Sequence, residues 1–176
     1  MTIPASWLPA ATMKRVILHW SAGTHTASAL DRAHYHFILE GDGNAVRGDR
    51  SIKDNEGPIR GNYAAHTRAC NTGSIGVSLA CMAGATESPF RSGRYPMMKT
   101  QWDAMIDFVV ELCRKYRIDP TPETVLSHAE VENNLGIWQR GKWDYTRLSF
   151  DASIKGARAI GDRIRTPVRD RLAEGL

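Results

Sequence analysis

The sequence predicts an α/β fold in which a central mixed β-sheet, flanked by helices, forms a single domain. Three observations predict it. Short β-type runs alternate with segments of helical periodicity along the 176 residues, and such interleaving builds a sheet with helices packed on it. The turn Gly41-Asp42-Gly43-Asn44 joins two short runs and supplies an antiparallel hairpin. The length suits one domain with a substantial core, and no repeat, low-complexity segment or linker divides it. The domain is expected to span residues 1–176, with its core at about 14–165.

The elements follow in order. Lys14 to Trp20 reads as a buried strand, and Thr26 to Ala33 as a short helix. Tyr35 to Glu40 and Ala45 to Gly48 form the hairpin, and Gly48 to Asn62 is polar loop. Ser74 to Met82 is another strand, in which Gly76 lets neighbouring backbone approach closely. Ala83 to Met98, with Pro89 and Pro96, is a long loop. The clearest helix runs from Thr100 to Arg117, opened by a capping box of Thr100 with Asp103. Trp102, Met105, Ile106, Val109, Cys113 and Tyr116 give it one apolar stripe. Asp119-Pro120-Thr121-Pro122 stops it, and Thr124 to Ser127 is a short strand. Ala129 to Tyr145 reads as irregular loop. A last helix covers Ala152 to Ile164, with Pro167 as its limit and a frayed tail beyond.

Composition excludes several classes. Hydrophobic residues are 42% and charged residues 24%, ordinary for a soluble globular protein. No run approaches the roughly 18 apolar residues of a membrane span, so stable membrane insertion is not expected. The N-terminus lacks a basic region followed by a long apolar core, so no secretory signal is expected. The protein is then expected in the cytoplasm until something else releases it. Cys70, Cys81 and Cys113 form no CxxC pair and are expected as free, buried thiols. The net charge is +4 and the pI near 9.1, which favours an acidic polymer, nucleic acid or anionic cell wall. Part of that excess is local to Arg158, Arg163, Arg165, Arg169 and Arg171, which a solvated helix face explains. With no recognition motif and no aromatic interleaving, nucleic acid is not an expected partner. No GxSxG elbow is present, and no cysteine sits in a known catalytic motif.

Chemistry concentrates at the strand ends. His19 closes the run Val16-Ile17-Leu18, and His128 follows Thr124 to Ser127. A rigid strand end can hold a metal ligand in fixed geometry. With Asp144 these two imidazoles make a three-ligand set with one open position, the pattern of a catalytic zinc site. Spacing alone does not settle it, because no local motif such as HExxH is present. Read by itself, Asp144 is better taken as a loop carboxylate paired with Lys142 or Arg140, and Lys142 as an exposed lysine.

Four blocks, in order, resemble the zinc-dependent N-acetylmuramoyl-L-alanine amidases, a superfamily that includes phage amidase-type lysozymes and peptidoglycan recognition proteins. They are Val16-Ile17-Leu18-His19-Trp20-Ser21-Ala22-Gly23; His34-Tyr35-His36-Phe37-Ile38-Leu39 with Gly41-Asp42-Gly43; Ala64-Ala65-His66 with Asn71-Thr72-Gly73-Ser74-Ile75-Gly76-Val77; and Ser127-His128 with Lys142-Trp143-Asp144. The likeness covers roughly residues 14 to 150. It implies a peptidoglycan-recognition-protein-like fold and zinc held by His19, His128 and Asp144. It also implies hydrolysis of the amide between N-acetylmuramic acid and L-alanine in peptidoglycan. Lys142 then holds the oxyanion, and Tyr35 orients the water or shuttles a proton. His66, Asn71 and Trp138 are expected as substrate contacts, although Trp138 and Trp143 serve equally to anchor their loop. His25, His34 and His36 are read as structural. If Tyr35 and His36 share a strand they face opposite sides, so only one can point at the metal. The stretch Val131 to Gly141 is longer than in many relatives, and Tyr145-Thr146 replaces the usual Pro-Gly after the last ligand. The expected partner is muropeptide substrate and the expected state a monomer. The expected setting is a phage or prophage endolysin. A cytosolic amidase that recycles anhydro-muropeptides, or a non-catalytic binding module, are the alternatives.

Overall fold

The computed structural model describes residues 2–175. Five strands form one sheet in the order β3-β2-β4-β1-β5: β1 (Arg15–Trp20), β2 (Phe37–Leu39), β3 (Ala45–Arg47), β4 (Ser74–Leu79) and β5 (Val125–Ser127). β1 runs parallel to both neighbours, with His19 opposite Ser78 of β4 and Leu18 opposite Ser127 of β5. β2 is parallel to β4 and antiparallel to β3, so the sheet is mixed, as expected. No helix among the described residues is long and apolar enough to cross a membrane.

Alternation along β1 sorts its side chains onto two faces. Val16, Leu18 and Trp20 join the main core with Phe37, Val77, Leu79 and the stripe of α2 (Lys99–Tyr116). Ile17 belongs instead to a small cluster with Cys70, Leu126 and Val131. His19 shares the parity of Ile17, so it projects away from α2.

The helices depart from expectation at their ends. α1 (Ala29–His34) begins after Ser28, whose hydroxyl accepts the Asp31 N–H while the Asp31 carboxylate accepts the Ser28 N–H, a complete capping box. Tyr35 ends this helix rather than starting the strand. α2 is not capped by Thr100 and Asp103. Gln101, fully buried, accepts the Met98 N–H at 3.0 Å and donates to the carbonyls of Leu39 and Ala80 at 3.1 and 2.9 Å. Those contacts tie the helix start to the ends of β2 and β4, and Asp103 pairs with exposed Lys99 instead.

The stretch after His128 is not wholly irregular. A 3-10 turn, His128–Glu130, leads into α3 (Val131–Leu135), which buries Val131 and stops at Gly136 with φ 70°. Its single turn is too short to show a period in the sequence. The last helix, α4 (Ala157–Glu174), starts later than expected and continues through Pro167. Ile160, Ile164 and Val168 are buried, and Leu172 packs on the same core. That four-residue spacing lays one stripe along α2 and offsets the hydrogen bond that proline removes.

Candidate metal centre

The carboxyl ends of two parallel strands deliver the first two groups: His19 sits on β1 and His128 follows β5. Such ends are where open α/β sheets place their ligands. Asp144 arrives from the loop before α4. The Nδ1 atoms of His19 and His128 lie 3.0 Å apart, and each is 3.8 Å from Asp144 Oδ2. All three residues are buried, and they form the one cluster of metal-ligating groups found among the described residues.

The surrounding hydrogen bonds set the tautomers. Gln139 donates its amide to the Arg68 carbonyl at 2.9 Å, so its carbonyl oxygen faces His128 Nε2, also at 2.9 Å. His128 must donate there, which leaves Nδ1 as a lone pair. His66 Nε2 lies 3.3 Å from the Ser74 carbonyl and donates to it. Its Nδ1 is then an acceptor for His19 Nε2 at 3.1 Å, and His19 Nδ1 is left as a second lone pair. The Thr67 hydroxyl, 2.8 Å from His66 Nδ1, braces the same relay. Gly76 makes room for it, since a Cβ there would lie 2.5 Å from His66 Cγ. The close approach expected at Gly76 is therefore made by an imidazole rather than by backbone.

Two lone pairs and a carboxylate thus converge with no donor between them. Burial, and then the neighbouring His128, His66 and Lys142, hold His19 well below the usual histidine range, so it is neutral. Burial pushes the Asp144 carboxyl up, against His128, backbone donors and Lys142, which pull it down. Lys142 and the backbone donors only partly offset the burial of this carboxylate, and a cation at the centre of the three groups would complete the balance.

The remaining expected residues divide. Tyr35 packs its ring 5.1 Å from that of His19. Burial first, then Asp144 and Asp31, raise its hydroxyl, which stays protonated. Lys142 is exposed and makes no ion pair with any described residue. It lines two cavities that meet at His66 and His128, of about 540 Å³ and about 460 Å³. Tyr35 and Asp144 line the second. Asn71 lines the first, but its side-chain oxygen accepts the N–H groups of His66 and Thr67, so it also shapes the loop that carries His66. Trp138 is 59% exposed and lines neither cavity; the guanidiniums of Arg68 and Arg140 lie 5.5 and 5.6 Å from its ring. Trp143 packs edge-on against Trp20 at 4.7 Å, as a loop anchor would.

His25 and His34 bond to the carbonyls of Pro96 and Ala65. His36 accepts the Gly76 N–H and donates to Asn55. None of the three reaches the centre. Gln139, Thr67 and Tyr145 do shape it; no sequence signal singles out the first two, whose partners are distant along the chain, and Tyr145 shows only as a departure from the Pro-Gly of relatives.

The model of the N-acetylmuramoyl-L-alanine amidase family matches residues 9–163. No curated protein matches this sequence. Among solved structures, an N-acetylmuramoyl-L-alanine amidase, LysC from Clostridium intestinale URNW, is similar at 14% identity and a TM-score of 0.49, over 80% of this chain and 81% of its own. AmiD from E. coli, in complex with anhydro-N-acetylmuramic acid-L-Ala-D-gamma-Glu-L-Lys, reaches 19% and 0.48, over 68% of this chain and 50% of its own. Drosophila PGRP-LB reaches 20% and 0.46, over 68% and 71%.

Proposed function

The chain belongs to the N-acetylmuramoyl-L-alanine amidase family, and from that premise we propose that it cleaves peptidoglycan by a zinc-dependent reaction. The bond is the amide between the lactyl group of N-acetylmuramic acid and L-alanine of the stem peptide. One observation carries the reading: two imidazole lone pairs and a carboxylate, all buried, converge beside a cavity with no proton donor lying between them. A nitrogen and oxygen set of three with an open fourth position suits catalytic zinc. Zinc bonds of about 2.0–2.1 Å in a tetrahedron put donors about 3.3 Å apart, and the separations here, 3.0 and 3.8 Å, straddle that value.

His19, His128 and Asp144 would hold the ion. When bound, zinc would supply Lewis acidity and would lower the pKa of water to about 7. The chain's own residues do the rest. Lys142 places an ammonium at the rim, where it donates to the carbonyl oxygen as negative charge develops there. Tyr35 keeps its proton, so its hydroxyl orients the attacking water or the substrate by donating a hydrogen bond. The cavity that includes Asn71 is lined by Arg68, Arg140 and Lys142 and carries no carboxylate. This favours the acidic stem of a muropeptide.

We read the setting as that of an endolysin, held in the cytoplasm and released to the wall. The two cavities share His66, His128, Arg140 and Lys142 in their linings, and together they give room for a substrate larger than a single stem peptide. Purified sacculi should yield free stem peptides beginning at L-alanine, detected by mass analysis, and only without chelator. Activity confined to soluble anhydro-muropeptides would turn the setting to a recycling enzyme. Zinc binding with no product from either substrate would leave a binding module.

A further inference from the structure

Asp144 is held between two aromatic residues that both rest on Trp20, the neighbour of His19. Trp143 meets Trp20 edge-on at 4.7 Å, and Tyr145 stacks on it at 5.8 Å with 23° between the rings. Tyr145 is fully buried and adopts φ 67°, a left-handed conformation that a bulky side chain rarely takes. Its hydroxyl donates to the His19 carbonyl at 3.1 Å and touches Met105 Sδ. β5 stops pairing with β1 at Leu18, so the Trp20 N–H beyond it has no strand partner on that side. Asp144 Oδ2 accepts it at 3.3 Å. The residue after the third candidate ligand is thus bonded to the main chain of the first. The carboxylate itself stands where the next strand residue would be.

Glycine at position 145 would relax the backbone but would lose both the hydrogen bond and the stacking. Phenylalanine would keep the stacking and lose only the bond. A strained tyrosine persists only where its surroundings over-determine it, and such residues cluster at sites whose geometry must be held. We propose that Tyr145 is a positioning residue for the metal centre: its bond to the His19 carbonyl and its left-handed backbone set Asp144 opposite His19 before any ion arrives. This rests on His19, His128 and Asp144 being the metal ligands. Tyr145 touches neither substrate nor ion; it acts through Asp144.

The test is a zinc affinity rather than a rate. Metal-stripped wild type and Tyr145→Phe are titrated with zinc against a chromophoric chelator. The variant should bind on the order of tenfold more weakly, as losses behind a metal ligand generally do. Its cobalt-loaded form should show an altered visible spectrum, because the third donor has moved. In an Asp144→Ala background, Tyr145→Phe should weaken binding no further, since the route through Asp144 is gone. Replacing Tyr145 by 4-aminophenylalanine, which keeps an N–H donor toward His19, should restore the affinity. That variant also carries the test if Tyr145→Phe does not fold. An unchanged zinc constant and cobalt spectrum in Tyr145→Phe, even with a lower melting temperature, would overturn the proposal and leave Tyr145 as packing. If wild type itself binds no zinc, the metal reading fails first, and this inference fails with it.

Discussion

The face of the sheet under α2 and α4 is packed with Val16, Leu18, Val77 and Leu79 against Phe108, Val109 and Ile164. The other face carries His19, His66, Ser78 and, just past β5, His128, with only small apolar clusters around Ile17 and Ile38. Both faces are buried, yet they are built from opposite materials. Burial of apolar surface on the helix side contributes stability at roughly 25 cal/mol per Å². Burial of imidazoles on the other side is unfavourable unless every nitrogen finds a partner. The division implies that the helix face holds the fold while the polar face holds the ligands. Substitutions should therefore separate the two functions.

The sharpest separation comes from His128→Ala. The variant should lose stoichiometric zinc and fall to the activity of chelator-treated wild type, while its metal-free melting temperature changes by only a few degrees. A variant that keeps one zinc per chain would remove His128 from the ligands and blur the contrast between the faces. The opposite case is Phe108→Ala, which empties a buried site packed 4.9 Å from the Phe37 ring. It should cost about 3–5 kcal/mol in chemical unfolding. The zinc constant of its folded fraction, measured in the cold, should match wild type. A parallel loss of affinity would show that the two faces are coupled through the sheet. Lys142→Ala is next in size. Zinc binding should be unchanged and turnover slower by about a hundred- to a thousandfold, the usual consequence of losing one oxyanion donor. Wild-type turnover would remove Lys142 from the reaction.

The same division explains what the residues disclosed in advance. β1, the hairpin and α2 are legible because their patterns are long and apolar, and the helix face obeys local periodicity. α4 runs on through Pro167, where the proline signal is strong but the stripe Ile160, Ile164, Val168 and Leu172 is stronger. α2 starts within one residue of the expected Thr100, but its cap is not legible because Gln101 satisfies sheet carbonyls from residues 62 and 21 positions away. On the polar face, His19, His128 and Asp144 come together as the resemblance implied, but their supports did not show. Gln139 matters only once α3 folds it toward His128, and His66 only once Gly76 opens space beside β4. A hydrogen-bond partner distant in sequence leaves no periodic trace.

The smallest expected effect tests the polar face without touching the ligands. His36 is buried, with Nε2 donating to Asn55 at 3.1 Å and Nδ1 accepting the Gly76 N–H at 3.0 Å. Burial takes its pKa from 6.5 down to about 4, although Asn55, Asp54 and the Ser51 backbone pull the other way. The unfolded chain therefore gains a proton here before the folded one does. The neutral ring carries no penalty above pH 6.5, and stability drains away as the pH falls from there toward 4. The full loss is about 3 kcal/mol at 1.36 kcal/mol per unit. Urea unfolding of metal-free protein between pH 7 and 4.5 should show this decline, and His36→Gln, neutral throughout, should show a shallower one. His19 and His66 contribute to the slope in both proteins, so the difference isolates His36. Parallel curves would mean that protonation of His36 is met within the fold by a partner such as Asp54. The cost assigned to buried imidazoles would then be too high, and the two faces would differ in packing rather than in charge.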